Sequence, residues 1–246
     1  MSVASIKALK LAPLDVPDVA IARAKSVGGE PAAVINAGSI VAFAAGITSQ
    51  EQEDVLYSMQ LAQRAASGVA DRYTAIRDWY KKYVEVLQDT GWVMGGFSPN
   101  AQRVDESEFE MAKAALKIML AAMTGPGTAV LTAAITALEG MAKEDGFITL
   151  FEHFGAEGQV GNFQMGAVEK GAAGELSVVV GAFQMLMTEN QKKFLFFKWR
   201  DKNVSVWGDS TKATFNRAHY AGLRDTVREM LGVHAQKAIA QLPLKF

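Results

Sequence analysis

The sequence predicts an α+β fold: a long amphipathic helix and an apolar helical hairpin packed with a small antiparallel sheet in the C-terminal half. Three observations carry the prediction. Apolar residues recur at heptad spacing across residues 55–87, two helical segments that meet in the uncharged stretch 118–138 flank Gly125-Pro126-Gly127, and after Gly146 the chain turns to β-branched and aromatic runs separated by short links. The chain has 246 residues, half of them apolar and 21% charged, which suffices for a sizeable core. We expect one domain, 1–246, with two lobes: 1–145 mainly helical, and 146–246 an antiparallel sheet plus a C-terminal helix.

In chain order, residues 1–30 read as irregular, punctuated by Pro13, Pro17, Gly28 and Gly29, with one short helix around 16–26. The small residues of 32–45 suit a helix in close contact with its neighbours. Thr48 with Glu51, and Ser49 with Gln52, fit capping boxes. Behind them Val55, Met59, Ala62, Ala66, Val69, Tyr73, Ile76, Tyr80, Tyr83 and Leu87 step by alternating fours and threes, a heptad seam. One helix over 49–90, kinked at most once near Gly68, would be about 60 Å long and a spine for the rest. Asp105 or Ser107 can cap a second helix over 106–123. Gly125-Pro126-Gly127 turns into a third over 128–141, making an αα-hairpin whose tip is almost uncharged.

Residues 147–151, 162–169, 175–188, 193–200 and 204–207 read as strands, and their short separators imply an antiparallel meander. The 175–188 run is ambiguous, since Leu176, Val179, Val180 and Phe183 also fit a helix face. Residues 216–231 return to helix, closed by Gly232.

Composition excludes several function classes. There is no cysteine, so disulfides, thiolate metal sites and a cysteine nucleophile are ruled out. His153, His219 and His234 are the only histidines, which leaves little material for a zinc site. No cofactor motif is visible, and a formal charge of -1 argues against a nucleic-acid partner. Lys7 and Lys10 interrupt what would be the apolar core of a signal peptide. The uncharged stretches 31–50 and 118–138 are broken by proline and glycine. We therefore expect a soluble protein, cytoplasmic or exported without a standard signal peptide.

The near-neutral total conceals an uneven distribution. Residues 30–190 carry ten basic and twenty acidic side chains, while 191–246 carry eleven basic against four acidic. The basic portion is interleaved with aromatics: Lys192, Lys193, Phe196, Lys198, Trp199, Arg200, Lys202 and Trp207. On a strand such a run presents charge and aromatic rings on both faces, a surface suited to anionic lipid headgroups. The same residues also suit a hairpin whose basic ends pair with the acidic helices of the same chain. The apolar hairpin, through Ile118, Leu120, Met123, Pro126, Val130 and Leu131, suits either a buried core or insertion into lipid after rearrangement.

Motifs for catalysis are weak. Gly208-Asp209-Ser210-Thr211 resembles the opening of the GDSL-type hydrolases. It lies near the wrong terminus, Thr211 replaces the leucine, and no Asp-x-x-His follows, so a β-turn explains it better. Glu152 and His153 are adjacent, and on a strand they would face opposite sides and could not cooperate. His219 and His234 fit surface positions on or beyond the last helix. Gly155, Gly158 and Gly161 read as a flexible loop, and Asp105, Glu106, Glu108 and Glu110 as a solvated first helical turn.

The favoured function is a non-enzymatic, membrane-associating protein of bacterial toxin or virulence-factor type. In it the basic aromatic surface meets anionic lipid and the apolar helices rearrange, with room for self-association. The alternative is a soluble module holding an apolar ligand, such as a fatty acid, between helices. A carboxylate-based enzyme is the third reading.

Overall fold

The computed structural model describes residues 2–19, 28–97, 108–123, 125–141, 146–200 and 204–244. It is an α+β fold, with helices on both faces of a mixed sheet. After α1 (Val3–Lys7) come β1 (Ala32–Asn36), β2 (Ser39–Phe43), α2 (Ser49–Ser67), α3 (Ile76–Asp89) and β3 (Trp92–Met94). The middle of the chain gives α4 (Met111–Ala122), α5 (Pro126–Glu139), α6 (Gly146–Gly155) and β4 (Ala156–Glu157). The C-terminal part gives β5 (Val160–Lys170), β6 (Leu176–Leu186), β7 (Ser205–Phe215), α7 (Arg217–Ala221), α8 (Arg224–Leu231) and β8 (Ile239–Gln241). The strand order is β3-β7-β6-β5-β2-β1-β8, with β4 beside β5. The β5–β6–β7 meander is antiparallel as expected, while β2 runs parallel to β5.

The sheet is larger than the sequence suggested, because residues 32–43 form a strand pair and not a helix. Every position of β1 and β2 is buried, so their apolar run shows no alternation to separate strand from helix. Residues 147–151 err the other way: they lie in α6, with Phe147, Ile148, Leu150 and Phe151 packed into the core. Residues 16–19 are irregular, and the rest of the helix expected over 16–26 lies outside the described residues. So do the caps Asp105 and Ser107. The second helix is seen from Met111, and the C-terminal helix divides at Gly222.

The expected spine is two helices folded back on each other. The capping box at the start of α2 is present: Thr48 accepts from the Glu51 N–H, and Glu51 accepts from the Thr48 N–H. At Gly68 a side chain's Cβ would sit 2.0 Å from the Lys10 carbonyl oxygen, so this glycine admits the N-terminal segment. Asp71 then accepts from the N–H groups of Tyr73 and Thr74 at 2.9 and 2.7 Å, an Asx turn that ends one helix and opens the next. Trp79 donates to Ser67 and Trp92 donates to Ser58, so α3 returns antiparallel along α2. The heptad seam is thus shared by a helical pair.

Two cores lie across the sheet. On one face Phe163, Met165, Val179 and Phe183 pack under α4, α5 and α6. On the other, Val41, Phe43, Val178, Val180 and Phe215 pack under α2, α3 and α8. No described helix is long and apolar enough to cross a membrane.

Candidate functional site

The basic aromatic segment is not a strand. The Phe196 and Phe197 N–H groups both bond back to Lys193 O, and Trp199 alone pairs, as an isolated bridge to Phe109. The cause is local. Lys193 takes a φ of +59°, Glu152 accepts from the Phe194 N–H at 2.9 Å, and Trp199 donates to Phe194 O. Phe194, Leu195 and Trp199 therefore sink together into the core. Lys193 turns inward and donates to the carbonyls of Glu139 and Met141, at the C-terminus of α5. Phe196 is half-buried, with the Lys193 ammonium 5.6 Å from its ring centre. Lys192, Lys198 and Arg200 are exposed, the last two reaching Glu108 at 3.7 and 2.8 Å. Trp207 lies on β7 at the opposite face of the sheet, and Lys202 falls outside the described residues.

Much of the remaining C-terminal charge is neutralised within the fold. Arg217, Arg224 and Arg228 pair with Glu51, Asp54 and Glu53 at the start of α2. The Arg224–Asp54 pair is two-pronged, at 2.8 and 2.6 Å. Burial pushes the Glu51 carboxyl up, but hydrogen bonds from Thr48, Lys170 and Arg217 outweigh it and hold the group below its ordinary value.

The apolar hairpin lies flat on the sheet. Leu131 is fully buried, Met123 and Val130 nearly so, Ile118 is half-buried, and Leu120 and Pro126 are exposed. Added Cβ atoms at Gly181 and Gly208 would meet Met119 Sδ at 2.5 Å and Ile118 Cδ1 at 2.8 Å, so both glycines admit α4. Pro126 opens α5 and no side chain of its own turn caps it. Glu169 of β5 takes that role, accepting from the Gly127 N–H at 2.7 Å. The sequence offered no sign of this latch between residues 42 positions apart.

Under the hairpin, β5 and β6 are two-faced. The side beneath α4–α6 carries Phe163, Met165, Ala167, Val179, Phe183 and Met185. The other side carries Val168, Val178 and Val180 in the second core and, at the Asn162–Gln164 end, a buried polar network. Arg72, buried, donates to Gln63, Gln164 and the Asn162 carbonyl and stacks over Trp79. All of these partners are neutral, and burial lowers the guanidinium pKa. Tyr80 donates to Asn162 at 2.6 Å and accepts from Gln164 at 2.8 Å, its hydroxyl pushed up by burial to about 12.

Gly208-Asp209-Ser210-Thr211 sits inside β7 and not in a turn, and Ser210 Oγ donates to the Ile118 carbonyl at 3.4 Å. Glu152 and His153 lie on α6, where Glu152 holds the Phe194 N–H and His153 contacts the Asp15 carbonyl. His219 contacts the Asp89 carbonyl. Gly155 ends α6 and Gly161 lies within β5, so the three glycines are not one loop. Among the described residues no group of three potential ligands could hold a metal ion.

No family model and no curated protein matches the sequence. Solved structures that align with this chain include a delta-endotoxin, at 10% identity and a TM-score of 0.44, covering 83% of this chain and 88% of that one. The Evf virulence factor aligns at 10% identity and a TM-score of 0.37, covering 92% of this chain and 87% of that one.

Proposed function

We propose that this is a non-enzymatic, membrane-active protein of toxin or virulence-factor type, in which the α4–α5 layer lifts from the sheet and the apolar face of β5–β6 meets lipid. The observation that carries the reading is the make-up of those two strands. Each has 11 residues, the length that crosses a hydrocarbon core of about 30 Å when tilted. β6 contains no charged residue. Over 162–165 and 183–185 one face carries Phe163, Met165, Phe183 and Met185 and the other Asn162, Gln164 and Gln184, the alternation a membrane strand needs between lipid and lumen. The covering helices are held largely by apolar contact, which acyl chains can replace.

Anionic lipid supplies the first attraction, through the exposed Lys192, Lys198 and Arg200, each worth about 1 kcal/mol near such a surface. The buried Trp199 and the inward-turned Lys193 serve the fold in the free state. The test is release of a self-quenching dye from phosphatidylglycerol vesicles. Release is expected at low salt and mildly acid pH, weakening as salt screens the exposed charges over about 8 Å at physiological ionic strength. Neither release nor co-sedimentation under the favourable conditions would overturn the proposal.

A further inference from the structure

A cavity of about 720 Å³ opens between α3 and the β6–β7 end of the sheet, on the face away from the α4–α5 hairpin. Its volume lies within the roughly 300–1,000 Å³ of small-molecule sites. Tyr80, Val84, Phe97, Ala182 and Trp207 form its apolar walls. Tyr80 is fixed by its bonds to Asn162 and Gln164 and by an edge contact with Phe97 at 5.6 Å, so this wall is preformed.

The polar groups on the lining divide by whether the fold satisfies them. Glu85 is paired with Lys82 at 2.7 Å, and Asp209 accepts from the Ser210 N–H at 2.8 Å. Arg77 and Lys81, one helical turn apart on α3, have no carboxylate partner among the described residues. The Gln184 amide and the Trp207 indole N–H likewise make no hydrogen bond there, although both residues are half-buried. The groups left without an internal partner are thus mostly donors, two of them exposed cations, at the rim of an apolar hollow.

The geometry points to a binding site for one anionic amphiphile, a molecule with a carboxylate or phosphate head and a single apolar tail. The tail lies against Tyr80, Val84, Phe97 and Trp207, and the head accepts from Arg77 and Lys81. This places an apolar ligand between a helix and the sheet, where the sequence alone suggested a site between helices. The inference does not rest on the membrane reading, because the cavity is on the opposite face from the surface proposed to meet lipid.

The test is calorimetric titration of the full chain, below micelle-forming concentrations, with oleate, 1-oleoyl lysophosphatidate and the uncharged monoolein. Either acid should bind at least tenfold tighter than monoolein, and the tighter of the two identifies the head. R77Q/K81Q, at exposed positions, should erase that preference, and A182F should weaken all three probes by filling the hollow. Three of the four tryptophans are at most 2% exposed and Trp207 is half-buried, so oleate should also protect the emission from acrylamide quenching. Monoolein binding as tightly as both acids, or a preference that survives R77Q/K81Q, would overturn the inference. R77Q/K81Q should leave vesicle co-sedimentation unchanged, which keeps its outcome distinct from that of the membrane proposal.

Discussion

Replacing Glu169 by alanine probes the contact that ties the α4–α5 layer to the sheet. Pro126 has no N–H and Gly125 has no side chain, so the first donor that α5 must satisfy is the Gly127 N–H. Gly127 is buried, which leaves water a poor substitute for the Glu169 carboxylate 2.7 Å away. A hydrogen bond to a charged acceptor contributes about 1.5–3 kcal/mol, and a negative charge at a helix N-terminus accounts for about 0.3–1 kcal/mol. E169A should therefore cost about 2 kcal/mol, and E169Q, which keeps an acceptor, under about 1 kcal/mol. In urea, with a slope of about 2.5 kcal/mol/M, the E169A midpoint should fall by roughly 0.8 M at unchanged slope. If the loss is local, amide exchange in α5 should speed up about 30-fold, with β5 and β6 little affected. Dye release from phosphatidylglycerol vesicles should be faster for E169A than for the parent chain. An unchanged midpoint together with unchanged α5 exchange would refute the latch.

Other perturbations test separate parts of the account. Burial raises the Glu152 carboxyl above its ordinary value, so folding disfavours its charged form at neutral pH. That penalty is relieved as pH falls through the raised value, so E152Q should be at least as stable as the parent at pH 7 and lose the advantage in mild acid, by thermal melting. G68A should lower the melting temperature despite alanine's better helix propensity, since its Cβ would collide with the Lys10 carbonyl; a rise would contradict the packing argument. K192Q/K198Q should weaken partitioning onto anionic vesicles by about 2 kcal/mol, roughly 30-fold, without changing stability. K193Q should instead lower stability, because its ammonium satisfies the carbonyls closing α5, and urea midpoints separate the two variants.

The sequence was most legible where a local chemical device set the structure. Thr48 and Glu51 announced the start of α2, and the β5–β6 hairpin followed from β-branched runs around the short link 171–175, whereas β7 joins β6 only across residues 187–204, where a further strand was expected. It was least legible where tertiary contact decided. Ala33, Val34, Ile35, Ile40 and Val41 are covered on both sides, so helix and strand give the same apolar run; the β-branched residues flanking Asn36 to Ser39 were the available clue. The break after Gly68 depends on Lys10 and on Arg72 reaching strands far away in sequence, which no heptad count registers. The pairing of the C-terminal charge was hidden for a similar reason. The lysines and arginines are visible in the sequence, but their partners Glu51, Glu53, Asp54 and Glu108 are brought to them only by folding.

The most direct test of the membrane reading is hydrogen exchange measured by mass spectrometry on the chain free and bound to phosphatidylglycerol vesicles at mildly acid pH. Binding should strip protection from α4 and α5, while the amides of β5 and β6 stay as protected as in the free protein or become more so. Vesicle-bound protein that releases dye while α4 and α5 keep their full protection would contradict the account.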